Sequence, residues 1–408
     1  MRRKILRERE MWALFFLLAA CDAARVKKII AIMLENHSFD NYLGNLNKTS
    51  TGVKPTSCNT QSSSGTRYCA TNRGAWSDPD PDHSVHGTSW QIYGTESPSS
   101  PQDPNARAMS GFVDSYSKAV NVSQGGAIMD CFDPSHVPII STLAQSFTLI
   151  DTYHASVPGP TFPNRLFFFS ATSHGFGDND DVETVIGWPQ KSIFGALNST
   201  QWRVYFSDVP SALLMADARM GLLEGNFRSI KEFDRDAAAG DLPDFTFVEP
   251  AFLDIPGAPA SDQHPAHDVR DGERLVKGVY EALRASPLWN ESTLLISWDE
   301  HGGFYDSVPP PVANIPPPDN LPCSDCKYPA SFNVRAFFFF FARAQSPSFR
   351  ALPPFPPFSL TPSPHPTGPT PTPTPSSVHA PGRAGAHGGG VPLGHQQRGA
   401  PPPRWVLL

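Results

Sequence analysis

Two oxygen-rich pairs stand directly behind apolar runs in this chain. Ile29-Ile30-Ala31-Ile32-Met33-Leu34 is followed by Glu35-Asn36, and Thr293-Leu294-Leu295-Ile296-Ser297-Trp298 is followed by Asp299-Glu300. Runs of that length and character predict buried strands. In an open α/β sheet the C-terminal edge of the strands is where sites are built. Glu35, Asn36, Asp299 and Glu300 offer oxygen alone, which favours a hard divalent ion such as Mg²⁺, Ca²⁺ or Mn²⁺. A third stretch adds a reactive group. Pro158-Gly159-Pro160 predicts a tight turn, and Thr161 then opens a buried helix running through Leu166-Phe167-Phe168-Phe169-Ser170. A hydroxyl at a helix N-terminus lies where N–H groups and the dipole favour an anion. Held by a metal as well, its alkoxide is stabilised and Thr161 becomes a nucleophile. Arg165 is expected to give bidentate contacts to phosphate oxygens, and Asn164 either to face the same oxygens or to hold the turn.

Four segments carry a resemblance. Glu35-Asn36-His37-Ser38-Phe39-Asp40, Thr161-Phe162-Pro163-Asn164-Arg165, Asp262-Gln263-His264-Pro265-Ala266-His267-Asp268-Val269 and Asp299-Glu300-His301-Gly302-Gly303-Phe304-Tyr305-Asp306 resemble, in that order, signatures of the phosphoesterase family. That family contains the non-specific phospholipases C and some bacterial acid phosphatases. The resemblance runs from about Val26 to about Pro311. It implies an alkaline-phosphatase-like three-layer α/β/α sandwich. It also implies a metal held by Glu35, Asn36, Thr161, Asp299 and Glu300, and a phosphothreonine intermediate on Thr161. By the same resemblance His83, after Asp78-Pro79-Asp80-Pro81-Asp82, faces the phosphate and is preferred to His86. His83, His264 and His267 are candidates to protonate a leaving alkoxide and to bind phosphoryl oxygens. His264 is the stronger of the last pair, because His267 could serve to cap the following helix. One departure stands out: the family's Asp-His-Val is here Asp306-Ser307-Val308.

These residues need elements to position them. Phe147–Asp151, Trp202–Phe206 and Phe245–Val248 are further strand candidates. Val269, Leu275, Val276, Val279, Tyr280 and Leu283 fall at helical spacing, predicting a helix from about Asp268 to Ala285 that stops at Ser286-Pro287. Alternating strands and helices predict an α/β fold with a mainly parallel sheet covered on both faces. Gly44 to about Ser110 is polar and rich in Gly, Ser, Pro and Asn, and is expected to be a long loop or insertion over the active-site face.

The chain has 408 residues, 44 of them proline, and a formal charge of −7. It is long enough to bury a sizeable core, and with no basic patch nucleic acid is excluded as a partner. Residues 1–24 have a basic head, a short apolar stretch and small residues, the pattern of a secretory signal. Asn-X-Ser/Thr triplets at Asn47, Asn121, Asn198 and Asn290, and a Cys58–Cys69 disulfide closing a Ser/Thr/Gly-rich loop, agree with secretion. The triplet at Asn36 should be buried and unmodified. Residues 25–344 are expected to form the catalytic domain. Residues 345–408 are Pro-rich, of low complexity, and expected to be disordered. Asn333-Val334-Arg335-Ala336 is only an echo of the family's next strand, so a sheet truncated at its C-terminal end is expected. The function that follows is a secreted, metal-dependent hydrolase of phosphate esters, most like a non-specific phospholipase C. It would cleave glycerophospholipids to diacylglycerol and a phosphorylated head group, with peripheral membrane contact. The alternatives are an acid phosphatase acting on soluble monoesters and a catalytically inactive relative.

Overall fold

Apolar residues on both sides of a strand demand cover on both sides, and the sheet of this protein is built that way. The computed structural model describes residues 26–311, apart from 47–51, 55, 75–78, 96–107, 120–124 and 180–182, together with 405–407. In chain order, β1 (Lys28–Leu34) leads to α1 (Phe39–Leu43), the hairpin β2 (Cys58–Thr60) and β3 (Arg67–Cys69), α2 (Val85–Tyr93), α3 (Phe112–Ala119), α4 (Pro138–Ser146) and α5 (Thr161–Ser170). There follow β4 (Trp202–Phe206), β5 (Phe227–Ser229), α6 (Phe233–Ala239), β6 (Phe245–Val248), α7 (Val269–Ala285), β7 (Ser292–Trp298) and β8 (Trp405–Leu407), with short helical turns between. The six-stranded sheet has the order β5-β4-β6-β1-β7-β8, and every neighbouring pair is parallel.

Alternate residues of the central strands go to opposite layers. Ala31 and Met33 of β1, Val204 of β4 and Phe245 and Phe247 of β6 pack with Leu166 and Phe169 of α5 in one core. On the other face Tyr205 meets Phe233 of α6 edge to face, with ring centroids 5.2 Å apart. α7 buries Val269, Val276, Val279, Tyr280 and Leu283, a stripe spaced every three or four residues that gives the helix its apolar face. Asp268 caps α7 by accepting a hydrogen bond from Arg270 N. The expected mixed α/β architecture with a mainly parallel sheet is therefore present, as are the expected strands at β1, β4, β6 and β7 and the helices α5 and α7.

Three expectations are corrected or fall elsewhere. Phe147–Asp151 forms no strand of the sheet: Ile150 is exposed, so the run lacks the two-sided burial that a central strand requires. The polar stretch after Gly44 is not all loop. It holds the β2–β3 hairpin, closed by a Cys58–Cys69 disulfide, and α2, which packs with α3 in a satellite core of Ile92, Phe112, Val113, Tyr116, Phe304 and Tyr305. Residues 1–24, Asn47, Asn121 and nearly all of the tail lie outside the described residues, but Trp405–Leu407 pairs with β7 as an edge strand.

Candidate active site

The parallel register decides which strand ends meet. Leu34 pairs with Trp298, so Glu35 and Asp299 leave the sheet side by side. Ile32 pairs with Val248, so Glu249 leaves the neighbouring strand on the other flank. Three adjacent strands, β6, β1 and β7, thus each run into a carboxylate at one edge. Between them stands Arg165 of α5, which is fully buried. Its Nε donates to Asp299 Oδ2 at 3.1 Å, Nη2 to Glu35 Oε1 at 3.3 Å, and Nη1 to Ser211 Oγ at 3.1 Å and Glu249 Oε2 at 3.4 Å. Arg165 is therefore not the phosphate donor that its chemistry suggested. Its fork is spent on the protein's own carboxylates, and a buried guanidinium requires that compensation.

Asn164, of the two roles left open for it, holds the turn. Its Nδ2 donates to the carbonyls of Val157, Gly159 and Pro160, and its Oδ1 accepts from Val157 N. This fixes Thr161 as the first residue of α5, with Pro160 ahead of it. Thr161 Oγ1 lies 3.4 Å from Asn36 Oδ1. Asn36 reaches it because its backbone is left-handed, with φ 60°, a conformation that Asn tolerates better than most residues. The anion-binding potential of this helix end is smaller than expected: Phe162 N donates to Asn179 Oδ1, and Pro163 has no N–H.

The histidines approach from two other segments. His83 immediately precedes Ser84, the N-cap of α2, and its Nε2 is 4.0 Å from Glu300 Oε1. Asp80 Oδ2 is 3.6 Å from both His83 Nδ1 and His264 Nε2. His267 does not cap α7; its Nδ1 lies 2.7 Å from Asp262 Oδ1. Gly302 and Gly303, both with positive φ, make this convergence possible. A Cβ on Gly302 would lie 2.0 Å from Asn36 O, and one on Gly303 2.8 Å from Asp82 O. His37, stacked on Phe304 at 4.9 Å, ties the first and third motifs through contacts of 2.6 Å to Asn41 Oδ1 and 2.8 Å to Gln263 O. Ser307, where the family carries His, adjoins α1, its N–H donating to Asp40 Oδ2 at 2.8 Å.

The charges are unbalanced, and the protonation equilibria reflect it. Burial pushes Glu35 well above the ordinary carboxylate range despite Arg165. Burial likewise takes Asp299 up to about 7. Burial also raises Glu300, but His83 and His301 outweigh it and hold Glu300 below its usual value. His83 shows the reverse: burial lowers it, while Glu300 and Asp80 carry it above the ordinary imidazole value. His264 is driven down to about 4 by burial. The two imidazoles are thus pushed apart into a proton donor and a neutral partner. Four buried carboxylates, Glu35, Glu249, Asp299 and Glu300, face Arg165 and His83, leaving a negative excess. Glu300 Oε1 and Asn36 Nδ2 are buried with no hydrogen-bond partner. Among the described residues no group of three His, Cys, Asp or Glu side chains is arranged to hold a metal by itself. The donors here also include the Asn36 amide and the Thr161 hydroxyl, and two of the carboxylates are turned onto Arg165. By charge and oxygen chemistry the set fits a hard divalent cation.

Glu249 and Asp80 were missed in the sequence. Glu249 directly follows Phe245-Thr246-Phe247-Val248, so the same pattern of apolar strand then carboxylate was there to find it. Asp80 lies in the motif that pointed to His83, and no local signal marks it as reaching a second histidine.

Comparison with known proteins gives a consistent result. The phosphoesterase family model matches residues 26–346. Non-specific phospholipase C6 of Arabidopsis thaliana is 41% identical over 302 residues, covering 72% of this chain and 56% of the relative. Non-specific phospholipase C4 of the same plant is 39% identical over 309 residues, covering 72% and 57%. Phospholipase C B of Mycobacterium tuberculosis is 26% identical over 350 residues, covering 72% and 61%. The chain spans a little over half the length of these curated relatives.

Proposed function

Since the chain belongs to the phosphoesterase family, we propose that it is a metal-dependent phosphoric ester hydrolase that cleaves glycerophospholipids in the phospholipase C manner. The observation that carries this reading is the apposition of the Thr161 hydroxyl to Asn36 at 3.4 Å, beside the carboxylates that end β1 and β7. Glu35, Asn36, Thr161, Asp299 and Glu300 would hold a divalent ion, Mg²⁺, Ca²⁺ or Mn²⁺. When bound, such an ion withdraws charge from phosphoryl oxygens and favours ionisation of a nearby hydroxyl. Thr161 gives up its hydroxyl proton to solvent as Oγ1 attacks phosphorus, and the bond from phosphorus to the glycerol oxygen breaks. His83 gives its proton to the departing alkoxide, releasing diacylglycerol. Water then attacks phosphorus, the bond to Thr161 breaks, and the phosphorylated head group leaves. Neutral His264, held beside Asp80, is suited to take the proton of that water and pass it to solvent, from which Thr161 Oγ1 and His83 regain theirs.

A lipid substrate is favoured over a soluble monoester by the surroundings of this edge. Val209, after β4, is 57% exposed, and Leu253 and Ile255, after β6, are each 53% exposed. Asp208 Oδ2 joins their loops by accepting from Phe252 N at 2.7 Å and Leu253 N at 2.8 Å. The Phe252 ring lies 5.0 Å from the Arg165 guanidinium carbon, so the apolar rim is continuous with the site. Peripheral contact with a membrane surface through that rim is part of the proposal. So are an alkaline-phosphatase-like assignment of the sheet and passage through the secretory pathway. The latter is supported by the Cys58–Cys69 disulfide and by acceptor triplets whose asparagines, Asn198 and Asn290, are exposed. The experiment is hydrolysis of phosphatidylcholine and of a chromogenic monoester, each with and without chelator. Chelator-sensitive release of diacylglycerol is expected. Turnover of the monoester alone would favour the acid phosphatase reading, and no turnover of either would favour an inactive relative.

A further inference from the structure

We infer that Glu249 is a positioning residue for the cation seat, acting through Arg165; this rests on the metal-dependent reading above. Glu249 is fully buried and is anchored from its far side. Its Oε1 accepts from Ala212 N at 3.0 Å and from Ser211 Oγ at 2.8 Å, and its Oε2 lies 3.4 Å from Arg165 Nη1. Ser211 Oγ is itself 3.1 Å from that nitrogen. One corner of the guanidinium is therefore fixed to a rigid backbone turn. Because the fork is planar, fixing Nη1 also fixes the directions of Nε and Nη2. These reach Asp299 and Glu35, the proposed ligands from two strands, so Glu249 sets how far apart they stand.

Its charge matters as much as its place. A guanidinium between two ligand carboxylates competes with a cation for the same oxygens. A third carboxylate on the opposite corner takes a share of that positive charge and leaves Glu35 and Asp299 available. Buried ion pairs are poor stabilisers compared with apolar packing, so stability alone is a weak reason for a fourth buried acid here. A residue with only a packing role would work as well if neutral.

That contrast is the test. Mn²⁺ binding to the full chain is measured by titration calorimetry for wild type, Glu249→Gln and Glu249→Asp, with circular dichroism and melting temperature to establish folding. The glutamine variant keeps the shape and loses the charge. It should fold and bind Mn²⁺ about 10–100-fold more weakly, the range for partners of metal ligands. Glu249→Asp should recover part of the affinity, and turnover of the glutamine variant should rise towards wild type as Mn²⁺ is increased. A folded Glu249→Gln protein with wild-type Mn²⁺ affinity overturns the inference while leaving the metal reading intact. Wild-type protein that binds no Mn²⁺ overturns both. Should the glutamine variant fail to fold, Ser211→Ala removes the hydroxyl that bridges Glu249 and Arg165. A smaller loss of Mn²⁺ affinity is then expected, and an unchanged affinity refutes the role.

Discussion

Thr161 is where the chemistry is most exposed to test at the scale of single residues. Its hydroxyl is buried at the start of α5 and reaches Asn36, while Asn164 and two prolines fix the backbone around it. Thr161→Val keeps the β-branched shape and removes the hydroxyl alone. It should fold normally and lose several orders of magnitude in turnover, whereas Thr161→Ser should retain part of the rate, since a primary hydroxyl can make the same bond. Brief exposure to substrate followed by acid quench should leave phosphate on the Thr161 peptide. A valine variant with the wild-type rate would instead assign attack to water directly. Arg165 carries the opposite lesson. Its residue type fits phosphate well, but three strand-terminal carboxylates surround it, and a buried guanidinium takes the nearest charge. Arg165→Met should therefore damage folding as well as activity, because it leaves Glu35, Glu249 and Asp299 mutually repelling in a buried space. A large fall in melting temperature is the expected reading, and an unchanged one would contradict this structural role.

Among elements, α4 depends on α7 for its N-terminus. Val137 ahead of α4 supplies no side-chain cap. Glu273 of α7 does so from outside, accepting from Ile139 N at 2.6 Å, from Ile140 N at 3.2 Å and from Tyr42 OH at 3.2 Å. Burial nevertheless outweighs these donors and raises Glu273 from 4.5 to about 8. A carboxyl whose folded value is raised binds its proton more tightly folded than unfolded. Its contribution to stability is fully present below about 4.5 and is lost as pH climbs to about 8. Melting temperature should therefore carry a component that falls across that window. Glu273→Gln mimics the protonated form and should flatten it. An equally steep fall in the variant would place the effect on other groups. The hydrogen bonds of Asn164 are a second element-scale device: Asn164→Ala removes the side-chain donor to the carbonyls of Val157, Gly159 and Pro160 and the acceptor for Val157 N, although Val157 O keeps the bond from Gly159 N. A loss of about 1–3 kcal/mol is expected from denaturant titration.

For the whole molecule, the apolar side chains beyond β4 and β6 share an edge with the proposed catalytic groups because all strands of a parallel sheet end on the same side. That arrangement would let the protein meet a lipid surface with its site facing the substrate. Leu253→Asp combined with Ile255→Asp should weaken co-sedimentation with phosphatidylcholine vesicles several-fold and slow hydrolysis of vesicle lipid. Turnover of a soluble chromogenic ester should stay unchanged, since neither residue lies in the catalytic machinery. Undiminished vesicle binding would show that the rim is not the contact surface. Among the described residues no helix is long and apolar enough to cross a membrane, and this variant pair tests the proposed contact through the rim.

The sequence by itself determined the strands that end in Glu35-Asn36 and Asp299-Glu300, the helices at Thr161 and Val269, and the family that unites their motifs. Those features are local: apolar runs, a proline turn, and helical spacing can each be recognised without knowing what lies opposite. The tertiary structure alone decided that Arg165 serves carboxylates, that Glu249 joins them from a third strand, and that Asp80 stands between His83 and His264. The same holds for Phe147–Asp151, whose pattern suits a strand but which has no place in the sheet, and for α2 and α3, which earn their order from a satellite core shared with Phe304 and Tyr305. Each of these depends on partners distant in the chain: β6 and β1 bring Glu249 to the edge that β7 and α5 complete. Where a buried charge or an apolar face finds its counterpart is set by the register of the strands, and that register is a property of the folded sheet.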